Sequence, residues 1–151
     1  LKNWKKENGD SFDIQDWIAC EGNIKLAIGF STIFWPDFIN HDNCILLESR
    51  FSKDNFDNWL KADYTKTYSQ IESVLNHIHL VDLFSSEKQQ DINIHQIRYL
   101  GNVISRIYKT KLKSDFPDRE FIVYFNGDEN FDDLYDYEIS FYQPMNETRK
   151  I

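Results

Sequence analysis

Between residues 67 and 84 the chain gathers its densest set of side chains capable of chemistry: Glu72, Asn76, His77, His79 and Asp82. A carboxylate beside an imidazole raises the imidazole's basicity and can share a cation with it. Glu72, His79 and Asp82 are therefore the candidates for a small metal-assisted or acid–base hydrolase, with His77 and His79 as its candidate metal ligands. The competing reading is structural. A Glu, an Asn and a His bordering an apolar stripe are usually hydrogen-bonded to nearby backbone, because a buried polar group left unpaired costs about 1–3 kcal/mol.

The spacing predicts a single helix over 67–84. Ile71, Val74, Leu75 and Ile78 follow the i, i+3, i+4, i+7 pattern of one buried face, and Asp82 falls within the same stripe. On such a helix Glu72, Asn76 and His79 line up beside the stripe, while His77 points elsewhere, near Val81. The two histidines then diverge, which disfavours a chelate, since paired helical ligands sit at i, i+4.

A second concentration of charge lies towards the C-terminus. The 151-residue chain carries a net charge of −8, and residues 115–138, with nine acidic side chains against Arg119 alone, account for all of it. A field so concentrated repels nucleic-acid phosphate and attracts basic partners. Asp128, Glu129, Asp132, Asp133 and Asp136 cluster in one predicted loop, with Tyr135 and Tyr137 among them. Tyrosine surrounded by charge is a common composition for an interface anchor. The bland alternative is a loop that only aids solubility. The segment opens like a calcium loop, with Asp128, Asn130 and Asp132 at positions one, three and five. It then has Asp133 where the turn needs Gly and Ile139 where a bidentate Glu belongs, so an EF-hand is excluded.

The elements that must position these groups are mostly helical. Asp13 or Ser11 can cap a helix to about Cys20, with Ile14, Trp17 and Ile18 on its apolar face, after a polar lead-in expected to fray unless Trp4 anchors it. Asn23 caps a second helix over 24–35, with Leu26, Ala27, Phe30, Ile33 and Phe34 spaced for burial, and Pro36 stops it. The aromatic end Phe34-Trp35-Pro36 reads as a core plug, or as a wall for an aromatic ligand. After a turn at 40–43, the apolar run 44–47 suits a buried strand. Ser52 caps a helix with Phe56, Trp59 and Leu60 inward. Residues 85–90 form a solvated loop, and Asp91 caps the longest helix, 92–113. Gly101 within its buried stripe implies close packing against another helix, with the 67–84 helix as the candidate. Lys109, Lys111 and Lys113 complement its C-terminal dipole, or form a basic patch. Segments 120–126 and 137–143 alternate as strands of a hairpin, and a polar tail follows.

Fold class follows: α+β, about five helices packed on a small antiparallel sheet with a C-terminal β-hairpin, as one globular domain over 1–151. Neither a Gly-rich phosphate loop nor a nucleophile elbow is present, and no cofactor is expected. Two cysteines, Cys20 and Cys44, cannot build a structural zinc site, and both read as reduced core thiols of a cytoplasmic protein. No apolar run is long enough to span a membrane, and no signal peptide is evident.

Phe34-Trp35-Pro36, Asn76-His77-Ile78-His79 with Asp82-Leu83-Phe84, Leu100-Gly101, residues 116–121 and Ile139-Ser140-Phe141-Tyr142-Gln143 together resemble a group of small uncharacterised bacterial proteins. The resemblance covers most of the chain after Phe30, and that group implies no catalytic residue. In size, acidity and aromatic content the chain is also similar to bacterial immunity proteins, which neutralise toxin domains. Both the charge segregation and this likeness imply a non-enzymatic acidic binding protein of the immunity or antitoxin type, whose partner is a basic protein such as a toxin domain.

Overall fold

The computed structural model describes residues 2–62, 67–84 and 92–144. The chain separates into two compact units, Leu1–Ile33 and Phe34–Ile151, at a point that no composition shift marks. The fold is α+β, with six α-helices and two small antiparallel sheets among the described residues.

The first unit is helical. The lead-in expected to fray is a helix, α1 (Lys2–Asn8), whose Trp4 stacks on Phe12 at 5.5 Å between ring centroids. Asp13 caps α2 (Ile14–Glu21) in a reciprocal capping box with Asp16. Helix α3 (Ile24–Phe34) ends two residues before Pro36. Of the apolar side chains expected to face inward here, Ile14, Trp17, Ile18, Leu26 and Ala27 are exposed, while Phe30, Ile33 and Phe34 are half-buried. Cys20 is exposed too, which corrects its reading as a core thiol.

In the second unit, the apolar run 44–47 is strand β2 (Cys44–Leu47), and it pairs with a strand the sequence did not reveal, β1 (Phe38–His41). The turn between them is just Asp42-Asn43, both at positive φ (47° and 71°), as a two-residue type I′ hairpin requires. All four residues of β2 are buried, so both faces of the strand are covered and no polar alternation appears in its sequence. Cys44 and Leu46 join Phe56 of α4 (Lys53–Lys61) and Ile71 of α5 (Tyr68–Leu75) in one apolar cluster. On the other side Phe38 meets Tyr108 and Phe141 edge-on, at 6.4 and 5.4 Å between centroids. At the aromatic end of α3, Pro36 is buried and Phe34 half-buried, but Trp35 is exposed, with the ammonium of Lys111 5.3 Å from its ring centroid.

The main correction concerns residues 67–84. Helix α5 stops at Leu75, with Asn76 as C-cap, and the chain continues as strand β3 (Ile78–His79) and a 3-10 turn over Leu80–Leu83. Beyond Asn76 the helical stripe has no meaning. Leu80 and Val81 are buried and Asp82 is exposed. β3 lies beside β5 (Glu138–Tyr142), which pairs on its other side with β4 (Ile122–Phe125), giving a three-stranded sheet in the order β3-β5-β4. The C-terminal hairpin is thus part of a larger sheet. Tyr137, Ile139 and Phe141 share its fully buried face, as their alternation predicts.

The long helix α6 (Ile94–Asp115) covers β4. Its cap is Asn93, which accepts from His95 N and Gln96 N in a capping box with Gln96; the expected cap Asp91, the loop at 85–90 and the tail from 145 lie outside the described residues. Gly101 does mark a close approach, but to the Phe125 ring of β4 and not to α5, and Gly127 lies against the same ring. A Cβ at position 101 would fall well inside contact distance of that aromatic edge. Gly101→Ala should therefore destabilise the fold by about 1–3 kcal/mol through overpacking, read as a lower urea midpoint. Cys20 should react promptly with a thiol reagent in the folded protein. Cys44 is fully buried, and burial pushes its thiol far above the ordinary range, so it should react only on unfolding.

Candidate functional site

The polar residues of 67–84 divide into two sets with different roles. Glu72 and Asn76, one turn apart on α5, are fully buried. They sit where two sheet edges face one another. In the β1–β2 ladder, Ile45 and Leu47 direct their backbone groups away from β1, and in the β4–β5 ladder Phe141 and Gln143 direct theirs away from β4. The α5 side chains satisfy both edges. Glu72 Oε1 accepts from Ile45 N at 2.7 Å and from Gln143 Nε2 at 2.5 Å, and its Oε2 accepts from Gln143 N at 2.7 Å. Asn76 Oδ1 accepts from Leu47 N at 3.0 Å, while its Nδ2 donates to Ile45 O at 2.9 Å and Phe141 O at 3.2 Å. Ser69 Oγ donates to Gln143 O and Ser140 Oγ to Ser73 O, extending the seam. Arg119 closes it by donating to Asn43 O and Gln143 Oε1, both at 3.1 Å.

Burial pushes the Glu72 carboxyl above the ordinary carboxylate range, opposed by its hydrogen bonds to Gln143 and Ile45 and by the Arg119 charge. Both oxygens of Glu72 are committed to backbone and amide donors, so the carboxylate has a structural task. The trio Glu72, His79 and Asp82 is not assembled. Among the described residues the one group of three potential ligands drawn together is His77, His79 and Glu138.

That second set arises because the chain is extended after Asn76. In a strand, residues i and i+2 share a face, so His77 and His79 point the same way, with ring centroids 4.4 Å apart. This reverses the divergence that a helix would impose. Glu138 is the cross-strand partner of His79. Leu80 N donates to Tyr137 O at 3.0 Å, so the neighbouring His79–Glu138 pair is of the non-hydrogen-bonded type, in which side chains approach most closely. His77 Nε2 lies 2.7 Å from Glu138 Oε2, and His79 Nδ1 donates to Tyr135 O at 2.6 Å.

The acidic segment forms the connection from β4 to β5. Asp128, Glu129, Asp132, Asp133, Tyr135 and Asp136 are all exposed. None of the ion pairs among the described residues involves these carboxylates. The loop is nevertheless fixed. Asn126 donates to Asp136 O and accepts from Glu138 N, at 2.8 and 2.9 Å, and Arg98 of α6 donates to Glu129 O and Asn130 Oδ1. Asp133 caps a 3-10 turn, Leu134–Asp136, by accepting from Tyr135 N. Tyr137 is the correction here. It was a candidate interface anchor, but it is fully buried, and its hydroxyl donates to Glu129 O at 3.1 Å from beneath the loop. Its alternation sets it on one face with Ile139 and Phe141, and that face is the buried one.

At the opposite end of β4 a cleft of about 470 Å³ is lined by Lys109, Lys113, Arg119, Glu120, Phe121, Ile122 and Pro144. Two of its three cations serve the fold, since Lys113 donates to Pro117 O and Arg119 belongs to the seam. Lys111 is buried against Asp115 at 2.6 Å, so the three lysines do not make one patch.

Comparison with protein-family models, with curated proteins and with solved structures finds no match to this chain. Function must be argued from geometry. No helix among the described residues is long and apolar enough to cross a membrane.

Glu72→Gln should destabilise the fold by about 1–3 kcal/mol, because the amide presents an N–H to donors that a carboxylate accepts. A carboxyl whose folded pKa is raised contributes stability that is full below the ordinary carboxylate range and is lost as pH rises through the raised value. The stability advantage of wild type over the Gln variant should therefore shrink with rising pH across that window, measured by urea unfolding at several pH values.

Proposed function

We propose that this chain is a non-enzymatic acidic binding protein of the immunity or antitoxin type, which blocks a basic protein partner such as a toxin domain. The observation that carries the reading is the β4–β5 connection. Five carboxylates stand exposed on a loop whose backbone is held by Asn126, Arg98 and Tyr137. A fixed acidic surface loses little conformational freedom on binding and speeds encounter with a basic one. Arg98 is ion-paired with none of these carboxylates; its guanidinium donates to a backbone carbonyl and an amide oxygen.

Apolar contact area is available on the same hairpin. Tyr135 is 44% exposed within the loop, and Ile122 and Tyr124 are 42% and 48% exposed on the outward face of the edge strand β4. Exposed aromatics beside carboxylates are the composition that anchors an interface while charge sets its register. A nuclease partner would place the acidic loop in its phosphate-binding groove, and nucleic acid itself would be repelled.

The charge-reversed variant Asp128→Lys, Asp132→Lys, Asp133→Lys and Asp136→Lys tests the reading against a basic protein that co-purifies with the wild-type chain. The association rate should fall by about tenfold or more at low salt, with its salt dependence largely abolished and dissociation changed less. An unchanged rate and salt dependence would show that the loop only solubilises the protein.

A further inference from the structure

We propose that His77, His79 and Glu138 form a binding site for a divalent transition-metal ion, zinc foremost. The site is independent of the acidic surface on which the proposed function rests. Two imidazoles and one carboxylate are a ligand set suited to zinc and its neighbours, and three protein ligands leave a position for water. The three donor atoms lie within 4.8 Å of one another, with the His77–Glu138 pair at 2.7 Å. Ligand–metal bonds of about 2.1 Å set tetrahedral donors about 3.4 Å apart, a value inside that range, so small side-chain rotations suffice.

Three further features separate this cluster from a simple surface ion pair. His79 Nδ1 donates to the carbonyl of Tyr135, which fixes the ring's tautomer and leaves Nε2 as its lone-pair donor. A backbone carbonyl on the far nitrogen is the usual outer support of a metal-bound histidine. His77 Nε2 is shielded from solvent yet has no hydrogen-bond partner; the Glu138 oxygen 2.7 Å away is close but lies off the direction its N–H would take. An unpartnered nitrogen beside a carboxylate is accounted for when both direct lone pairs at a common cation. Finally, the ligands stand on paired strands. Ile78 and Ile139 pack on the buried face directly behind them, so the backbone that carries the donors is held. His77 and Glu138 keep side-chain exposures of 33% and 34%, so the cluster lies at the protein surface although Nε2 of His77 is itself covered.

The test uses the full chain, prepared without a metal-affinity tag and stripped with a chelator. Titrated with Zn²⁺, it should bind one ion per chain, in competition with protons, because the ligands must be deprotonated. Glu138→Gln should weaken binding at least about 10–100-fold, the loss typical of an outer-shell partner, and His77→Ala or His79→Ala should weaken it further. Circular dichroism checks that these variants fold. A readout on the wild-type protein needs no variant: on adding Zn²⁺ the ring ¹⁵N resonances of His77 and His79 should shift while those of His41 and His95 stay. Absence of stoichiometric binding, binding that survives loss of both histidines, or ring shifts confined to His41 or His95 would overturn the proposal.

Discussion

Two sheet edges in the core of this protein have no strand to pair with, and the rest of the second unit depends on how they are satisfied. Backbone N–H and C=O groups cannot be left bare in an apolar interior. The outer edge of β2 and the stretch of β5 that runs past β3, at Phe141 and Gln143, both face α5, where Glu72 and Asn76 stand in for the missing strand. Asn76 does this as a peptide group would, accepting on one side and donating on the other. Glu72 collects three donors on two oxygens, a concentration that only a carboxylate can meet at so small a volume. The arrangement costs desolvation, visible in the raised carboxyl of Glu72, and in return it fixes the position of α5 relative to both sheets.

The same residue that completes the seam also decides the chemistry next to it. Asn76 is the C-cap of α5, and its side chain is held by backbone atoms of β2 and β5. The chain therefore leaves the helix at that point and enters the sheet at Ile78. Had the helix continued, His77 and His79 would point in different directions, and Glu138 would face neither. Extended geometry sets both imidazoles on one face, and the β3–β5 register brings the carboxylate to them. Tyr135 O ties His79 to the acidic loop, so the histidine cluster and the loop share a structural support.

The loop shows how an exposed charged surface is made rigid from below. The hydroxyl of Tyr137, the amide of Asn126 and the guanidinium of Arg98 all bond to backbone or to Asn130, and none is spent on the acidic side chains. The carboxylates keep their charge facing outward, and conformational entropy has already been lost before any partner arrives.

Local and nearest-neighbour information was enough to read much of this from the chain. Period-2 alternation located β4 and β5 and put Tyr137, Ile139 and Phe141 on one face, and only the packing showed that face to be the core. The unalternating run at Cys44–Leu47 marked a strand buried on both faces, and Ser52 and Pro36 punctuated the helices by chemistry that acts within a turn. The segregation of acidic charge was visible as composition, and the preference of Glu72 and Asn76 for structural partners followed from the cost of burying them alone. What the sequence left open depends on long-range pairing. A helix ending at Asn76 rather than Phe84 is set by hydrogen bonds to residues 29–65 positions away in the chain, which outweigh a helical stripe that is locally consistent. β1 was hidden because its residues alternate only weakly, and β2, its partner, defines it. Gly101 announced a close approach without naming Phe125 as the neighbour. The grouping of His77, His79 and Glu138 was out of reach for the same reason: strand direction brings the histidines to one face, and register brings a carboxylate from the other end of the chain, and neither register nor strand end is encoded within either segment alone.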